Sequence, residues 1–442
     1  MSIEEVYFII LEYFYLIIYP ALEIVWGIIE TWWWLPLPFI LFDLFKYHYL
    51  YFIQERWDSK IKKILIEIKI PKEVNKPIKA MEQIFAGLHG VFHASPNWRE
   101  TWIDGEFQLS FTLELVSVDG KIHFYMRIPE MFRDAVESVI YSQYPSAEIS
   151  LADDYTKRVP QDVPNKNWDI WGADFISARN QAYPIKTYKE FEVENERLEE
   201  KKLDPLSVLL EGMSLLRPGE QMWFQIRPHA VLGKDHPWQD EGKKLVNKLA
   251  KRPEASKSKS IFKGVIDIII SMFSIWSSPS KESQKEIFPP EMKLTPGEKD
   301  VITAVEKKLS KLGFDSFVRF VYIGKKDVFL KTRVKTIFSF FKELSTENLG
   351  GFKPVSKTGV KIKSTFSWFL DKKRMYQRKR KMFRHYVNRV SPLFPISGMT
   401  FILNIEELAT LFHFPSEGAI STIAVSRVEA KKREAPSDLP IL

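Results

Sequence analysis

The sequence KILIEIKI, residues 63–70, opens the stretch of the chain that decides the fold. Its alternating apolar residues predict a strand, and the spacing of apolar residues in KPIKAMEQIFAGLHG (76–90) predicts a helix. Further along, Asp119-Gly120 joins two apolar runs, and this pair favours a tight hairpin turn because the turn needs positive φ angles. The predicted elements are strand 63–70, helix 76–90, strand 107–117, strand 121–129, helix 130–145 and strand 147–155.

The order of these elements is βαββαβ, which is typical of a ferredoxin-like domain. We place this domain at residues 58–160 and expect its two helices to cover one face of a four-stranded antiparallel sheet. Strands and helices alternate again in residues 166–353, which predicts a second α/β domain of the same kind. The two strands expected near its end are FVRFVYIG (317–324) and KKDVFL (325–330). The predicted fold class is therefore α+β, with tandem ferredoxin-like domains.

An insertion at residues 253–296 interrupts the second domain. Its low-complexity ends, such as SKSKS, flank the sequence IFKGVIDIIISMFSIW (261–276). On a helical wheel the polar residues of that segment gather on one side, as in a helix that lies in a membrane surface. The alternative is a core helix of the second domain, entered through long loops. The apolar side of the predicted helix contains Phe262, Ile266, Ile269, Phe273 and Trp276.

Residues 1–57 form a predicted membrane anchor. The stretch from Val6 to Ile53 is almost continuously apolar, and about 20 apolar residues suffice for one helical crossing. It has no basic n-region and is far longer than the h-region of a signal peptide, so we expect it to be retained. Two transmembrane helices, or one helix preceded by a surface helix, are both compatible with the pattern. Lysines and arginines follow directly, which predicts soluble domains on the cytoplasmic side of the cell membrane.

Four glutamates, at positions 5, 12, 23 and 30, fall on one stripe of the first predicted helix. A carboxylate inside lipid is costly, so Glu12 and Glu23 are candidates for a polar seam against another helix, including one from a second copy of the chain. The alternative is that the carboxylates reach toward water at the two interfaces.

The predicted C-terminal part, residues 354–442, begins with the basic helix WFLDKKRMYQRKRKMFRHYVNRV (368–390). Nine Lys or Arg and no acid occur from Lys372 to Arg389. Such a helix suits a nucleic-acid backbone, anionic lipid or an acidic partner, while the simplest interpretation is a solvated face. A strand and short helix capped near Asn404 follow, and the tail after Ser426 is predicted to be flexible. The candidate basic patch comprises Lys372, Lys373, Arg374, Arg378, Lys379, Arg380 and Lys381.

Several chemistries are excluded or disfavoured. The chain has no cysteine, so disulfides, thiol catalysis and cysteine-ligated metals are excluded. It contains no G-x4-G-K-[S/T] loop, so we do not expect it to hydrolyse nucleotides itself. His89 and His93 lack an H-E-x-x-H context and are predicted to be structural. We therefore expect neither an enzyme nor a cofactor or metal site.

Four stretches, taken in order, carry a resemblance to a known family: KPIKAMEQIFAGLHG, GKIHFYMRIPEMFRDAVESVIYSQYP, YPIKTYKEF and FILNIEELATLFHFP. Residues 60–435 resemble the membrane-anchored N-terminal region of type IV secretion or conjugation-type DNA-translocating ATPases of bacteria. The phosphate loop of the ATPase domain is missing here. What the resemblance implies is a docking region, and its matching segment is Glu406, Glu407, Leu408, His413 and Pro415.

These observations predict a non-catalytic, membrane-anchored subunit that docks a separately encoded P-loop ATPase of a DNA or protein translocation machine. Two alternatives stay open. One is a membrane-tethered nucleic-acid-binding protein that works through its basic helix. The other is a structural membrane scaffold without a motor partner, formed by oligomerisation of the anchors.

Overall fold

The computed structural model describes most of the chain between residues 16 and 415. Glu12 lies outside the described residues. So does the whole predicted amphipathic helix at 261–276, with the five apolar residues named for it. The chain divides into two compact units, one made of Met1–Ile61 and Ser95–Phe107 and the other of the remainder. The described residues are 16, 19–71, 76–197, 204–231, 237–252, 294–362, 368–394 and 398–415.

The first unit contains two apolar helices, α1 (Tyr19–Trp32) and α2 (Leu37–Asp58), in which no residue is buried. Pro36 and Pro38 fall at the start of α2, where the chain bends by 45°. Among the described helices, none is by itself long and apolar enough to cross a membrane. The bent pair meets that requirement together, by length and composition only. Glu23 lies on α1 and is exposed.

The second segment of this unit carries a short π-helix, Glu100–Asp104. The hydroxyl of Tyr49 donates to the carbonyl of Trp102 over 3.1 Å, and Trp57 meets Phe107 edge to face with ring centroids 5.1 Å apart. These contacts fix residues 95–107 to the second half of α2.

The second unit is built on one antiparallel sheet of nine described strands. The α+β class and the antiparallel pairing predicted from the sequence are confirmed. The strands are β1 (Lys63–Lys69), β2 (Thr112–Val118), β3 (Lys121–Pro129), β4 (Glu148–Leu151), β5 (Trp168–Ser177), β6 (Glu220–Ala230), β7 (Gly313–Lys325), β8 (Phe352–Pro354) and β9 (Phe401–Asn404). Along the sheet they follow the order β4-β1-β3-β2-β6-β7-β5-β8, and β9 pairs with β7.

The two halves of the sheet have related strand orders. Numbered within each half, both β1–β4 and β5–β8 read four-one-three-two. They meet through their second strands, because β2 pairs with β6 from Leu113↔Ile226 to Val118↔Gln221. The sheet therefore continues across the domain boundary predicted near residue 160. Only the second half inserts helices between its second and third strands.

Helices cover both faces of this sheet. Alternate strand residues point to opposite faces, so Phe224 and Phe320 belong to one core while Trp223 and Val321 belong to another. The helices of this unit are α3 (Lys79–Val91), α4 (Arg133–Gln143), α5 (Tyr188–Arg197), α6 (Ser207–Ser214), α7 (Trp238–Leu249), α8 (Pro296–Leu309), α9 (Lys335–Glu343), α10 (Asp371–Val387) and α11 (Ile405–Leu411). The first face is covered by α3, α4, α6, α9 and α11, and the second mainly by α10.

Local sequence explains two of the connections. The hairpin predicted at Asp119-Gly120 is confirmed, with φ angles of 53° and 83°. Helix α11 begins with a capping box, in which Asn404 accepts from the backbone of Glu407 and the Glu407 carboxylate accepts from the backbone of Asn404.

Of the two strands predicted at 317–330, the first is confirmed and the second is wrong. A single strand, β7, runs from Gly313 to Lys325, and residues 326–328 form a turn. The alternation of KKDVFL is too short to outweigh the pairing of β7, whose full length is used by β5, β6 and β9.

Candidate functional site

The predicted basic helix forms α10, and its position follows from its own sequence. Met382, Phe383 and Tyr386 are buried against Trp223 and Val321 of the second face. The remaining surface of the helix carries the basic side chains. The spacing of apolar and basic residues therefore makes α10 amphipathic, with its apolar side buried against the sheet.

A buried polar row crosses the sheet beneath the end of α10. Glu114 of β2 lies opposite Gln225 of β6, Gln225 opposite Arg319 of β7, and Arg319 opposite Asp174 of β5. All four side chains are buried. Arg319 Nε donates to Asp174 Oδ1 over 2.6 Å, and Gln225 Nε2 donates to Glu114 Oε1 over 3.0 Å. The row is therefore held by charge-assisted hydrogen bonds at both of its ends.

Arg389, just beyond α10, completes this row. Its Nε and Nη2 donate to the two oxygens of Glu114 over 2.9 and 3.1 Å, and its Nη1 donates to Asp154 over 2.6 Å. Burial alone would raise the pKa of Glu114, but the Arg389 charge and the hydrogen bonds from Tyr155 and Thr112 hold it below its usual value.

The backbone at the end of α10 is held in the same place. Arg389 adopts a left-handed φ of 55°, and the N–H groups of Arg389 and Val390 donate back to Tyr386 and His385. From the sheet, Arg227 Nη1 donates to the carbonyl of Arg389 and Arg319 Nη1 to that of Val390, over 2.9 and 3.1 Å. These bonds fix where the helix ends on the sheet.

The seven residues of the predicted basic patch divide into two groups. Arg378 and Lys379 make internal contacts: Arg378 donates to the carbonyls of Ser356 and Gly359, and Lys379 pairs with Asp169 at 2.5 Å. Arg380 is partly buried, and its Nη1 lies 3.4 Å from the hydroxyl of Tyr376, one turn earlier in the helix. The exposed members are Lys372, Lys373, Arg374 and Lys381.

The surroundings of α10 favour neutral histidine. Burial, together with the charges of Arg319 and Lys381, lowers the pKa of His385 to about 4. An imidazole with this pKa carries no charge at neutral pH, so the positive charge of the face comes from Lys and Arg alone.

The predicted docking segment is largely internal. Glu407, Leu408 and His413 are fully buried in the described structure. Glu407 pairs with the buried Lys308 at 3.0 Å, and both ring nitrogens of His413 face acceptors, one of them Asp204 at 3.0 Å. These three side chains stabilise the fold. A docking role is left as a prediction for the two members that reach the surface.

Glu406 is the member of that segment that lines a cleft, and Pro415 at the end of the segment is partly buried. The Glu406 carboxylate pairs with Lys189 at 2.7 Å and with Lys311, and it accepts from the Thr187 hydroxyl over 2.6 Å. Burial would raise the pKa of Glu406, but these bonds to the two lysines and the threonine lower it. Glu406 is therefore a carboxylate at neutral pH.

The cleft has a volume of about 530 Å³ and mixed charge. One wall is the outer side of α8, with Asp300, Thr303 and Lys307, and the other is the segment 184–190 that precedes and begins α5. Among the described residues no group of three or more His, Asp or Glu could hold a metal ion. The arrangement suits recognition of a polar, charged surface of another molecule. The lining residues are Pro184, Ile185, Thr187, Lys189, Glu190, Asp300, Thr303, Ala304, Lys307, Lys308, Ser310, Lys311, Leu349, Asn404 and Glu406.

Sequence reasoning missed the residues that pair with Glu406 and Glu407 at the cleft and with Arg389 in the buried polar row. Lys308 and Lys311 lie about 95 to 100 residues before Glu406 and Glu407, and Glu114 lies 275 residues before Arg389. The pattern held one usable signal, since Lys308 falls on the apolar side of the predicted helix 298–312. A charge on an apolar side usually has a buried partner.

Comparison with known proteins gives one family. No curated protein matches the chain. A family model described as "Domain of unknown function (DUF8128)" matches residues 53–427, which begins near the end of α2 and includes the whole described sheet. This protein is a member of the DUF8128 family.

Proposed function

We propose that the protein is a non-catalytic, membrane-anchored subunit that docks a separately encoded translocation ATPase, as in type IV secretion or conjugation. The observation that carries the proposal is the helix pair α1 and α2, whose side chains are mostly apolar and in no case buried. Exposed apolar surface of this extent marks an interaction with a membrane or another protein. Its composition and length suit lipid, with the remaining domains on the cytoplasmic side of the cell membrane.

The fold of the second unit supports a docking role. The repeated four-one-three-two strand order supports our proposal that it consists of two ferredoxin-like modules sharing one sheet. Their chemistry-bearing side chains, such as the pair of Lys308 with Glu407, are engaged within the fold. The cleft beside Glu406 offers both charge signs at its surface, which suits a specific protein contact. The resemblance noted in the sequence supplies the kind of partner, a P-loop ATPase.

The anchor is tested by membrane extraction. Full-length protein in isolated membranes should resist alkaline carbonate and high salt, and detergent should release it. Release by carbonate alone would reject the anchor.

The docking claim is tested by co-purification after mild solubilisation. The wild-type chain should bring down a P-loop ATPase, and a cleft-rim variant, Asp300→Lys with Lys307→Glu, should lose it. Both positions are exposed, so the variant should fold normally. Lys299→Glu, on the same helix but outside the cleft lining, is the matched control and should retain the ATPase. Equal loss in the control, or no ATPase with the wild type, would refute the docking role.

A structural scaffold built from oligomerised anchors remains the alternative prediction. It differs in one observable: the solubilised protein would be a homo-oligomer without any ATPase, and its assembly would depend on Glu12 and Glu23. Replacing both by leucine should disperse such an oligomer.

A further inference from the structure

The second face of the sheet gathers more positive charge than α10 alone provides. Four described segments meet there: 153–169, 325–327, 355–361 and 371–389. Together they contain sixteen Lys or Arg and six Asp, a net charge of +10, whereas the whole chain carries +8. The exposed cations outside α10 are Lys157, Arg158, Lys166, Lys325, Lys326, Lys357 and Lys361.

Specific contacts place these segments side by side. Arg378 donates to the carbonyls of Ser356 and Gly359, which brings the loop of Lys357 and Lys361 against α10. Lys379 pairs with Asp169, which brings in the segment of Lys166.

Two further bonds complete the arrangement. The backbone N–H of Lys326 donates to the carbonyl of Asn167 over 2.8 Å, and Arg389 pairs with Asp154 beside the turn of Lys157 and Arg158. Asp154 and Asp169 are thus already engaged by the protein's own cations. The exposed charge that remains is mostly positive.

Aromatic side chains lie among the cations of α10. Phe369 is 67% exposed and Tyr376 is 46% exposed. Phe369 lies in the 3₁₀ turn Trp368–Leu370 that leads into α10. At about 100° per residue, Tyr376 shares one stripe of α10 with Lys373, Arg380 and Arg384. Neighbours along that stripe are about one helical turn, or 5.4 Å, apart. Alternating aromatic and cationic groups are what single-stranded nucleic acid uses, because bases stack on rings while phosphates pair with cations.

A lipid surface suits this face less well. Helices that bind a membrane surface insert their apolar side among the acyl chains. The apolar side of α10, with Met382, Phe383 and Tyr386, is instead buried against the sheet. Apart from Phe369 and Leu370 at one end of the helix, little is left to insert.

We propose that this composite basic face binds single-stranded nucleic acid, with Lys373 and Lys381 on α10 and Lys357 and Lys361 on the adjacent loop contacting phosphates and Tyr376 stacking on a base. The site spans several segments and does not depend on the ATPase proposal. A cleft-rim variant that loses the ATPase partner should still bind nucleic acid through the basic face.

The test is fluorescence anisotropy with a labelled 20-mer of thymidylate and full-length protein in nanodiscs of zwitterionic lipid, from about 50 to 300 mM NaCl. Two double variants remove phosphate contacts, Lys373→Gln with Lys381→Gln and Lys357→Gln with Lys361→Gln. Each should weaken binding about tenfold at 100 mM salt. Each should also flatten the log–log salt slope by about 1.4, at about 0.7 per lost phosphate contact on a single strand.

A control variant tests whether the position of the lost charge matters, and a stacking variant tests whether Tyr376 contributes without charge. Lys76→Gln with Lys79→Gln removes the same charge from exposed positions beside α3, on the other face, and should change neither affinity nor slope. Tyr376→Leu should weaken binding about tenfold without altering the slope, because stacking releases no counterions.

Four outcomes of the binding assay, and a fifth that involves lipid, would overturn the proposal. The four are absence of salt-sensitive oligonucleotide binding, equal weakening in the Lys76 and Lys79 control, an unchanged affinity in Tyr376→Leu, and binding of polyglutamate as tight as that of the oligonucleotide. The last would assign the face to an acidic protein. Dependence of the variants' phenotype on anionic lipid alone would assign it to the membrane, and would overturn the proposal equally.

Discussion

Arg389 and Glu114 form a bidentate, fully buried ion pair that joins the end of α10 to the central strand β2 across 275 residues of sequence. The hydroxyl of Tyr155 donates to the same carboxylate over 2.7 Å, and the hydroxyls of Tyr155 and Tyr386 are 2.8 Å apart. Buried charges persist where geometry and hydrogen bonds satisfy them completely. This pair therefore sets the position of the basic helix on the sheet.

Removing one partner of this pair should be severely destabilising. Arg389→Met leaves the Glu114 carboxylate buried and uncompensated, so the free energy of unfolding should fall by about 3–5 kcal/mol. Thermal or urea unfolding of the detergent-solubilised chain, followed by circular dichroism, measures it. The double variant Arg389→Met with Glu114→Gln should recover part of the loss. Arg384→Met, exposed on the same helix, should change stability by less than about 0.5 kcal/mol. A mild effect of Arg389→Met would show that the pair does not hold α10.

Gly172 allows α10 to approach the sheet. A β-carbon at this position of β5 would lie 2.7 Å from Cγ of Met382 and 3.2 Å from the carbonyl oxygen of Phe320. Gly172→Ala should therefore lower stability by about 1–3 kcal/mol through overpacking. Hydrogen exchange should increase within 371–387. Adding Met382→Ala should relieve the clash and restore slow exchange in α10. If the double variant is no better than the single one, the helix does not pack on Gly172 as described.

Stability should fall on acidification from about pH 6.5 to 4. Burial, with a neighbouring cation in each case, lowers the pKa of His229 and of His385 to about 4. The unfolded chain, with a histidine pKa of about 6.5, binds more protons in this interval, so protonation favours unfolding as pH falls. Above about pH 6.5 both contributions are fully present. His385→Gln should flatten the pH dependence of the midpoint of urea unfolding between pH 6.5 and 4, whereas His93→Gln, at an exposed position, should not. An unchanged slope in His385→Gln would contradict the assignment.

Much of the local structure could be predicted because it depends on near neighbours in sequence. The alternation in KILIEIKI and KIHFYMRIP, the Asp119-Gly120 turn and the cap at Asn404 each encode their element within a few residues. Strand existence was predicted well wherever the apolar alternation was long. At 325–330 it was short, and the prediction was wrong.

The joining of the two halves could not be predicted in the same way. The pairing of β2 with β6 depends on complementarity between two strand edges about 110 residues apart in sequence. The sequence of neither strand indicates which strand it pairs with. The candidate sites show the same limit. The exposed or buried fate of Arg378, Lys379 and Glu407 depends on Gly359, Asp169 and Lys308, which come from other parts of the chain.

The central claim, that the cleft beside Glu406 docks a separately encoded ATPase at a membrane, is tested most directly by photo-crosslinking in cells. A photoreactive amino acid replaces Lys307, an exposed lining residue, and cross-linked partners are identified by mass spectrometry. The same substitution at Lys299 serves as the control. We expect a cross-link from position 307 to a P-loop ATPase in the membrane fraction and none from position 299. Cross-links from position 307 only to a second copy of this chain, or to no protein, would contradict the account.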